Sequence, residues 1–344
     1  MEDFIRKYSG DNVCSFIKEN EYLSSDKTLV VATGEPLNLI TSGGNGYDTL
    51  INLKRVNKIK DVDSFFKTAN SILKQNGLFI CTGETMGQRK ERILKKFPFP
   101  FNFIYFFFDY ILKRVFPKMK LTRWFYLWIT DDRNRVMSNP EIMGRLYFAG
   151  FKEEAREIID GYHYYVYRKF RDPESKENPS YGPFLKIKRV GKNGKMITVY
   201  KLRTMVPYSE YIQDYVYLHN KLKEGGKFKD DFRITRLGGI LRKTWLDELP
   251  MVWNLLKGEI KLIGVRPLSP HYLSLYDKDL QDLRATIKPG LLPPFYADMP
   301  KTLEEIMDSE RRYIELYKKH PFTTDLKYFF KILKNILFHG KRSS

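Results

Sequence analysis

Asp247 and Glu248 stand side by side in a segment, residues 230–267, that also carries Arg233, Arg236, Arg242 and Arg266. Adjacent carboxylates among guanidinium groups suit phosphate chemistry. A carboxylate can attack phosphorus or hold Mg2+, and arginine neutralises phosphate oxygens through a planar, bidentate fork. Taken alone, the same residues could form a surface salt-bridge network, a common structural use of such charges. The order of motifs along the chain separates the two readings.

The elements that must carry these groups are legible nearby. Lys186 to Met205 reads KIKRVGKNGKMITVYKLRTM. Gly191-Lys192-Asn193-Gly194 is a turn signal between two runs rich in Val, Ile and Tyr, which predicts a β-hairpin. Alternation along its second strand puts Lys201 and Arg203 on one face. DELPMVWNLLKG predicts a helix with Asp247 near its N-cap, Pro250 in the first turn and Gly258 as the stop. A carboxylate at that helix end, beside Arg242, is expected to stay ionised, and the same end should attract a pyrophosphate.

Five motifs then follow in order over roughly 120 residues. They are Arg189, Gly191, Gly194 and Lys195; Tyr200-Lys201-Leu202-Arg203-Thr204-Met205; and Asp231, Arg233, Thr235, Gly238 with Leu241-Arg242-Lys243. Asp247-Glu248-Leu249-Pro250 and Gly264-Val265-Arg266-Pro267 complete them. This succession, from Tyr181 to Pro300, resembles the catalytic domain of the bacterial sugar transferases, the monotopic polyprenyl-phosphate phosphoglycosyl transferases. The resemblance implies transfer of a phosphosugar from a nucleotide diphosphate sugar to a polyprenyl phosphate, releasing a nucleoside monophosphate. Such a step would initiate exopolysaccharide, capsule, O-antigen or glycoprotein glycan assembly. It implies Asp247 as nucleophile through an aspartyl phosphosugar intermediate, Glu248 as a ligand of Mg2+, and Lys201, Arg203, Arg233, Arg242 and Arg266 as phosphate-binding groups. Glycan-assembly enzymes are the implied protein partners. Val265, Met251 and Leu291-Leu292-Pro293-Pro294 depart from the family pattern, on the side expected to face the sugar or the acceptor.

The formal charge of +19, from 60 Lys plus Arg against 41 Asp plus Glu in 344 residues, calls for a polyanionic partner. No helix-turn-helix, zinc-finger or RNA-binding signature is present, so no nucleic acid is expected. Two cysteines suit a reducing compartment rather than a disulfide framework. The five histidines lack metal-site spacing. There is neither a signal-peptide core nor an apolar run of membrane-spanning length. The expected location is the cytoplasmic face of the bacterial inner membrane, monotopic or peripheral, against an anionic surface.

Two segments read as membrane-surface material. Phe97 to Ile129 is crowded with aromatics interleaved with Lys113, Arg114, Lys118, Lys120 and Arg123. Near the C-terminus, Leu326, Phe329, Phe330, Leu333, Ile336 and Leu337 fall on one helical face, and Lys327, Lys331 and Lys334 on another, which predicts an in-plane amphipathic helix. The sugar transferase family carries a re-entrant apolar segment directly before its catalytic domain. Here that place holds a polar linker, residues 171–183, so the re-entrant anchor is either missing or replaced by the aromatic segment.

Residues 1–170 predict α/β structure with an aromatic and basic insert at about 97–130. TLVVATG, Tyr47–Asn52 and LFICTG read as strands, and DVDSFFKTANSILKQNG as a helix ending at Gly77. SILKQNGLFICTGE and MSNPEIMGRLYFAGF resemble the corresponding regions of class I methyltransferases. The expected fold class is therefore α/β: a partial, Rossmann-like methyltransferase-like domain over 1–170, then an α+β sugar transferase domain over 184–344. Ser42-Gly43-Gly44-Asn45-Gly46 precedes a strand instead of joining a first strand to a helix, so no S-adenosylmethionine site is expected. The alternative for the whole chain is a catalytically silent membrane-associated scaffold.

Overall fold

A computed structural model describes residues 1–42, 44, 46–173, 181–219 and 231–339, with side chains placed through residue 336. Most of the expected 171–183 linker lies outside the described residues, as do Gly43 and the side chain of Leu337. The chain forms two compact units. Met1–Gly182 and Val206–Tyr215 make the first, and Pro183–Met205 with Val216–Ser344 the second.

The first unit opens with α1 (Glu2–Ser9), α2 (Asp11–Glu19), β1 (Thr28–Val31), α3 (Pro36–Ile40) and β2 (Tyr47–Asn52). It continues through α4 (Val62–Ile72), β3 (Leu73–Gly83), α5 (Met86–Lys96), α6 (Phe101–Tyr110), α7 (Lys120–Thr130), α8 (Asn139–Phe148), β4 (Phe151–Ile159) and β5 (Tyr162–Lys169). The sheet order is β1-β2-β3-β5-β4. The first three strands run parallel, and β5 lies antiparallel between β3 and β4. Alternate side chains feed two cores, as the two-residue period of a strand requires. Leu50, Phe79 and Tyr165 pack with Phe65, Phe66 and Ile142 on one face. Ile51, Ile80 and Val166 pack with Ile5 and Ile17 on the other.

Two local expectations are corrected. The fourth helix ends at Ile72, not Gly77, because Leu73 is already extended and pairs with Tyr47. FKEEAREII, for which the sequence reading placed no strand, is the edge strand β4, its ladder with β5 shifted between Glu153 and Ala155. Charged side chains and an irregular register both discourage pairing of such an edge with another chain.

The second unit begins with the expected hairpin, β6 (Phe184–Val190) and β7 (Met196–Leu202), paired antiparallel from Phe184–Leu202 to Val190–Met196. After α9 (Gln213–His219) come α10 (Arg236–Thr244), α11 (Val252–Leu256), β8 (Lys261–Ile263), α12 (Pro270–Leu273) and α13 (Lys278–Ala285). Then follow β9 (Gly290–Leu292), α14 (Phe295–Asp298), α15 (Leu303–Lys319) and α16 (Pro321–His339). Ile263, Val265, Leu268, Tyr313, Tyr328 and Ile332 form its main core. Val199, Met251 and Ile260 form a smaller one beneath the hairpin.

These cores revise two expectations. Val265 and Met251 are buried packing residues, so they do not face a sugar or an acceptor. The helix α16 carries two apolar faces instead of one. Tyr328 and Ile332 are buried and Phe329 and Ile336 pack beside them, while Phe322, Leu326, Phe330 and Leu333 remain exposed. Among the described residues no helix is long and apolar enough to cross a membrane.

Candidate active site

Four pieces of the second unit bring the expected residues together. The first is the end of β7. Lys201 lies opposite Leu185 in the hairpin ladder, and Arg203 stands one residue past the strand, its N–H donating to Pro183 O at 2.7 Å. Thr204 follows, buried, and its carbonyl accepts from Thr235 N at 2.9 Å and from Thr235 Oγ1 at 3.2 Å.

The second piece is the start of α10. Thr235 caps it by accepting from Gly238 N at 2.9 Å. Gly238 presses so closely on the strand end that an added Cβ would lie 1.9 Å from Thr204 O, which explains glycine at that place in the motif. Before the cap, Arg233 and Asp231 form a bidentate pair at 2.7 and 2.8 Å, with Arg233 buried. Its guanidinium is thus engaged by a carboxylate, and the pair braces the turn that leads into α10. The Nε of Arg242 donates to Thr204 Oγ1 at 2.9 Å, which aims the guanidinium from the last turn of α10.

The third piece carries the carboxylates, and here the expected helix start is corrected. The chain leaves α10 through Trp245 at φ 60, an uncommon conformation for a bulky residue, and enters a 3-10 segment, Leu246–Met251. Asp247 occupies the first turn of that segment rather than an N-cap, and Pro250 lies inside it. Only from Val252 is the helix α, and Gly258, at φ 67, stops the chain beyond α11 as expected. The ring of Trp245 lies 4.8 Å from that of Tyr296. Glu248 is ion-paired with Lys201 across to β7.

Electrostatics at Asp247 also differ from expectation. Burial raises its pKa, and the nearby Glu248 adds to the rise, while the charges of Lys201 and Arg242 only partly offset it. Burial likewise lowers the pKa of Lys201 despite its pairing with Glu248. Arg242 is lowered by burial against the pull of Asp247 and Asp231. Half-buried charges of both signs are thus held in a polar recess whose solvation is incomplete.

The fourth piece positions Arg266. Gly264 and Gly290 meet backbone to backbone beside the paired strands β8 and β9, where a Cβ on Gly290 would lie 2.1 Å from Gly264 N. Arg266 is exposed, and its charge reaches both Lys201 and Arg189. Its carbonyl accepts from Arg284 Nη2 at 2.6 Å, and Arg284 is ion-paired with buried Glu310. Sequence reasoning missed Arg284 and Glu310, which lie beyond the motifs. It also missed Asn254, which is fully buried and ties α11 to β7. Asn254 Nδ2 donates to Thr198 O at 2.7 Å and to Glu259 Oε2 at 2.6 Å, and its Oδ1 accepts from Tyr200 N at 3.2 Å. A buried Asn with this many partners is the only signal, and it becomes visible only in three dimensions.

The geometry can hold anionic oxygens between Lys201, Arg242 and Arg266 while presenting a carboxylate to them. Among the described residues no three His, Cys, Asp or Glu side chains gather as a protein-only metal cage. Two neighbouring carboxylates do fit Mg2+, which is commonly held by one or two carboxylates together with substrate phosphates.

Residues 176–339 match the family described as Bacterial sugar transferase. The match covers just under half of the chain and takes in the motifs gathered at this site. The undecaprenyl-phosphate galactose phosphotransferase of Salmonella typhimurium is 38% identical over 108 residues, covering 30% of this chain and 22% of that protein. The galactosyl transferase CpsE of Streptococcus agalactiae is 32% identical over 151 residues, covering 43% of this chain and 33% of that protein. The chain spans less than half the length of the curated relatives it matches. A SAM-dependent methyltransferase structure from Thermotoga maritima aligns with 49% of this chain and 97% of its own, at 13% identity and a TM-score of 0.26, too low to support any conclusion.

Proposed function

We propose that the second unit transfers a phosphosugar from a nucleotide diphosphate sugar to a polyprenyl phosphate, releasing the nucleoside monophosphate, at an anionic membrane surface. The observation that carries this is the placing of Asp247 beside Lys201 and Arg242, in a chain segment that matches the sugar transferase family. Asp247 attacks the phosphorus attached to the sugar, and the bond to the nucleoside monophosphate breaks. The acceptor phosphate then displaces Asp247 from the aspartyl phosphosugar intermediate. Arg242 and Arg266 neutralise the diphosphate oxygens, with Lys201 and Arg203 completing the anion pocket. Mg2+, when bound, would supply charge neutralisation at the pyrophosphate. Glu248 would hold it, exchanging its pairing with Lys201 for the cation.

The first unit reads as a methyltransferase-like domain used as scaffold. At the carboxyl ends of β1 and β2, Asn52 accepts from Thr33 N at 3.1 Å and donates to Thr33 O at 3.0 Å. These bonds tie the carboxyl ends of β1 and β2 together.

Asp247→Asn tests the proposal. The amide keeps the shape but cannot attack phosphorus, so turnover should fall on the order of a thousandfold or more. The assay is release of nucleoside monophosphate from a panel of nucleotide sugars with polyprenyl phosphate. Near-normal release by the variant would sink the nucleophile assignment.

A further inference from the structure

Helix α6 is built inside out. Its two buried residues are the polar ones, Asn102 and Asp109, whereas Phe101, Phe103, Ile104, Tyr105, Phe107 and Phe108 are exposed. The buried polar groups are fully engaged. Asp109 accepts from Arg89 at 2.6 and 2.8 Å and from Lys113 at 2.6 Å, and Asn102 donates to Leu94 O at 3.3 Å. A helix that turns charge inward and phenylalanine outward is matched to an apolar medium rather than to water.

Helix α7 carries a second exposed apolar face. Leu121, Trp124 and Trp128 recur at helical spacing on its exposed side, with Leu121 81% and Trp128 77% accessible. Its buried residue is Tyr126, whose hydroxyl donates to Arg133 O at 2.8 Å. The same segment exposes Lys90, Lys95, Lys96, Lys120 and Arg123, with Lys90 5.9 Å from the Phe106 ring and Lys96 5.6 Å from the Phe97 ring. Residues 89–129 hold ten Lys or Arg against two acids, one of them the buried Asp109.

We propose that the α6–α7 arm of the first unit is a lipid-docking element, seated in the headgroup and upper acyl layer of an anionic bilayer. Phenylalanine reaches the acyl layer, tryptophan and tyrosine sit at its polar boundary, and the basic rim meets anionic headgroups. Helix α6 runs on through a π-helical turn to Val115, yet neither it nor α7 is long and apolar enough to cross a bilayer, so the arm lies in the surface. A second copy of the chain is the poorer occupant, because self-pairing would bring two like-charged rims together on molecules already at +19. This deepens the membrane-surface part of the proposed function and does not rest on the chemistry of Asp247. The experiment therefore reads lipid binding alone.

Full-length protein is floated with vesicles of phosphatidylethanolamine and phosphatidylglycerol. Three double variants are compared: Phe107→Glu with Phe108→Glu, Trp124→Glu with Trp128→Glu, and, as control, Leu326→Glu with Phe330→Glu on α16. All six side chains are exposed, and circular dichroism melting checks that each variant folds. Both arm variants should lose vesicle partitioning by roughly tenfold or more, and the control by far less. High salt should release the wild-type protein only in part, since the apolar contact persists when the charges are screened. In a Trp245→Phe, Trp253→Phe background, the remaining Trp124 and Trp128 should be quenched by lipids brominated near the headgroup. Binding lost only in the α16 variant would overturn the assignment to the arm. So would an oligomer abolished by the arm variants without any vesicle binding, or a folded wild type that does not float.

Discussion

Asp247 carries its charge at a disadvantage, since burial raises its pKa and the neighbouring Lys201 and Arg242 only partly counter it. A carboxyl group whose folded pKa exceeds its unfolded one binds its proton more tightly in the native state. It therefore subtracts stability above the folded pKa, and the loss vanishes as pH falls below the unfolded value. Two outcomes follow for this residue. The acidic limb of the rate profile should lie above that of an ordinary aspartate, because attack requires the ionised form. At neutral pH, Asp247→Asn should keep or raise the melting temperature, by no more than roughly 3 °C, while turnover collapses. A substantial drop in melting temperature would mark Asp247 as a structural residue. Glu248→Gln addresses the cation separately: it should shift the Mg2+ titration to higher concentration as well as slow the rate, since a neutral amide is a poorer ligand for a hard cation. An unchanged metal titration with reduced rate would assign Glu248 to its pairing with Lys201 instead. At this scale the sequence showed which charges belong together, because the motifs keep them in fixed local spacing. It misjudged their energetics, because solvation depends on what packs around them.

Elements repeat that pattern. The hairpin of β6 and β7 was legible because Gly191 to Gly194 is a local turn between strand-forming runs. The break at Trp245 was not. A tryptophan in the left-handed region is held by its surroundings, and nothing in its neighbours' identity announces it. Edge strand β4 escaped for a similar reason, since Glu, Ala and Arg favour helix and only pairing with β5 makes the segment extended. For α16 the apolar spacing held but the positions divide: Leu326, Phe330 and Leu333 stay exposed, whereas Phe329 and Ile336 pack beside buried Tyr328 and Ile332. The distinction can be measured. Ile332→Ala should cost about 2–4 kcal/mol in denaturant unfolding, as buried large-to-small changes do. Phe330→Ser should stay within roughly 0.5 kcal/mol. Equal effects would return the helix to a single-faced reading. Deletion from Asp325 onward is a poor probe of membrane contact, because it also removes the acceptor of Lys261 and Tyr313 at 3.0 and 2.6 Å.

For the whole molecule, the division between units is not a single cut in the chain. Val206–Tyr215 belongs to the first unit although it follows the hairpin of the second. Ile212 is fully buried in the first core, and Tyr208 bonds Asp63 and lies against Gly144, where an added Cβ would come within 2.3 Å of Tyr208 O. Arg145, also buried, stacks its guanidinium 4.3 Å from the Tyr208 ring. A fragment of residues 1–182 should therefore melt well below the first unit in the intact chain, and Tyr208→Ala in full-length protein should destabilise by about 3–5 kcal/mol. Scanning calorimetry checks both; a fragment as stable as the parent would show that the returning segment is dispensable. This interleaving bears on inheritance. A recombination event with one breakpoint near residue 183 would carry residues 206–215 away with the second half and leave the first unit without Ile212 and Tyr208. Only a paired exchange that spares 206–215 would leave both descendants able to fold, so the two halves of this gene should travel together.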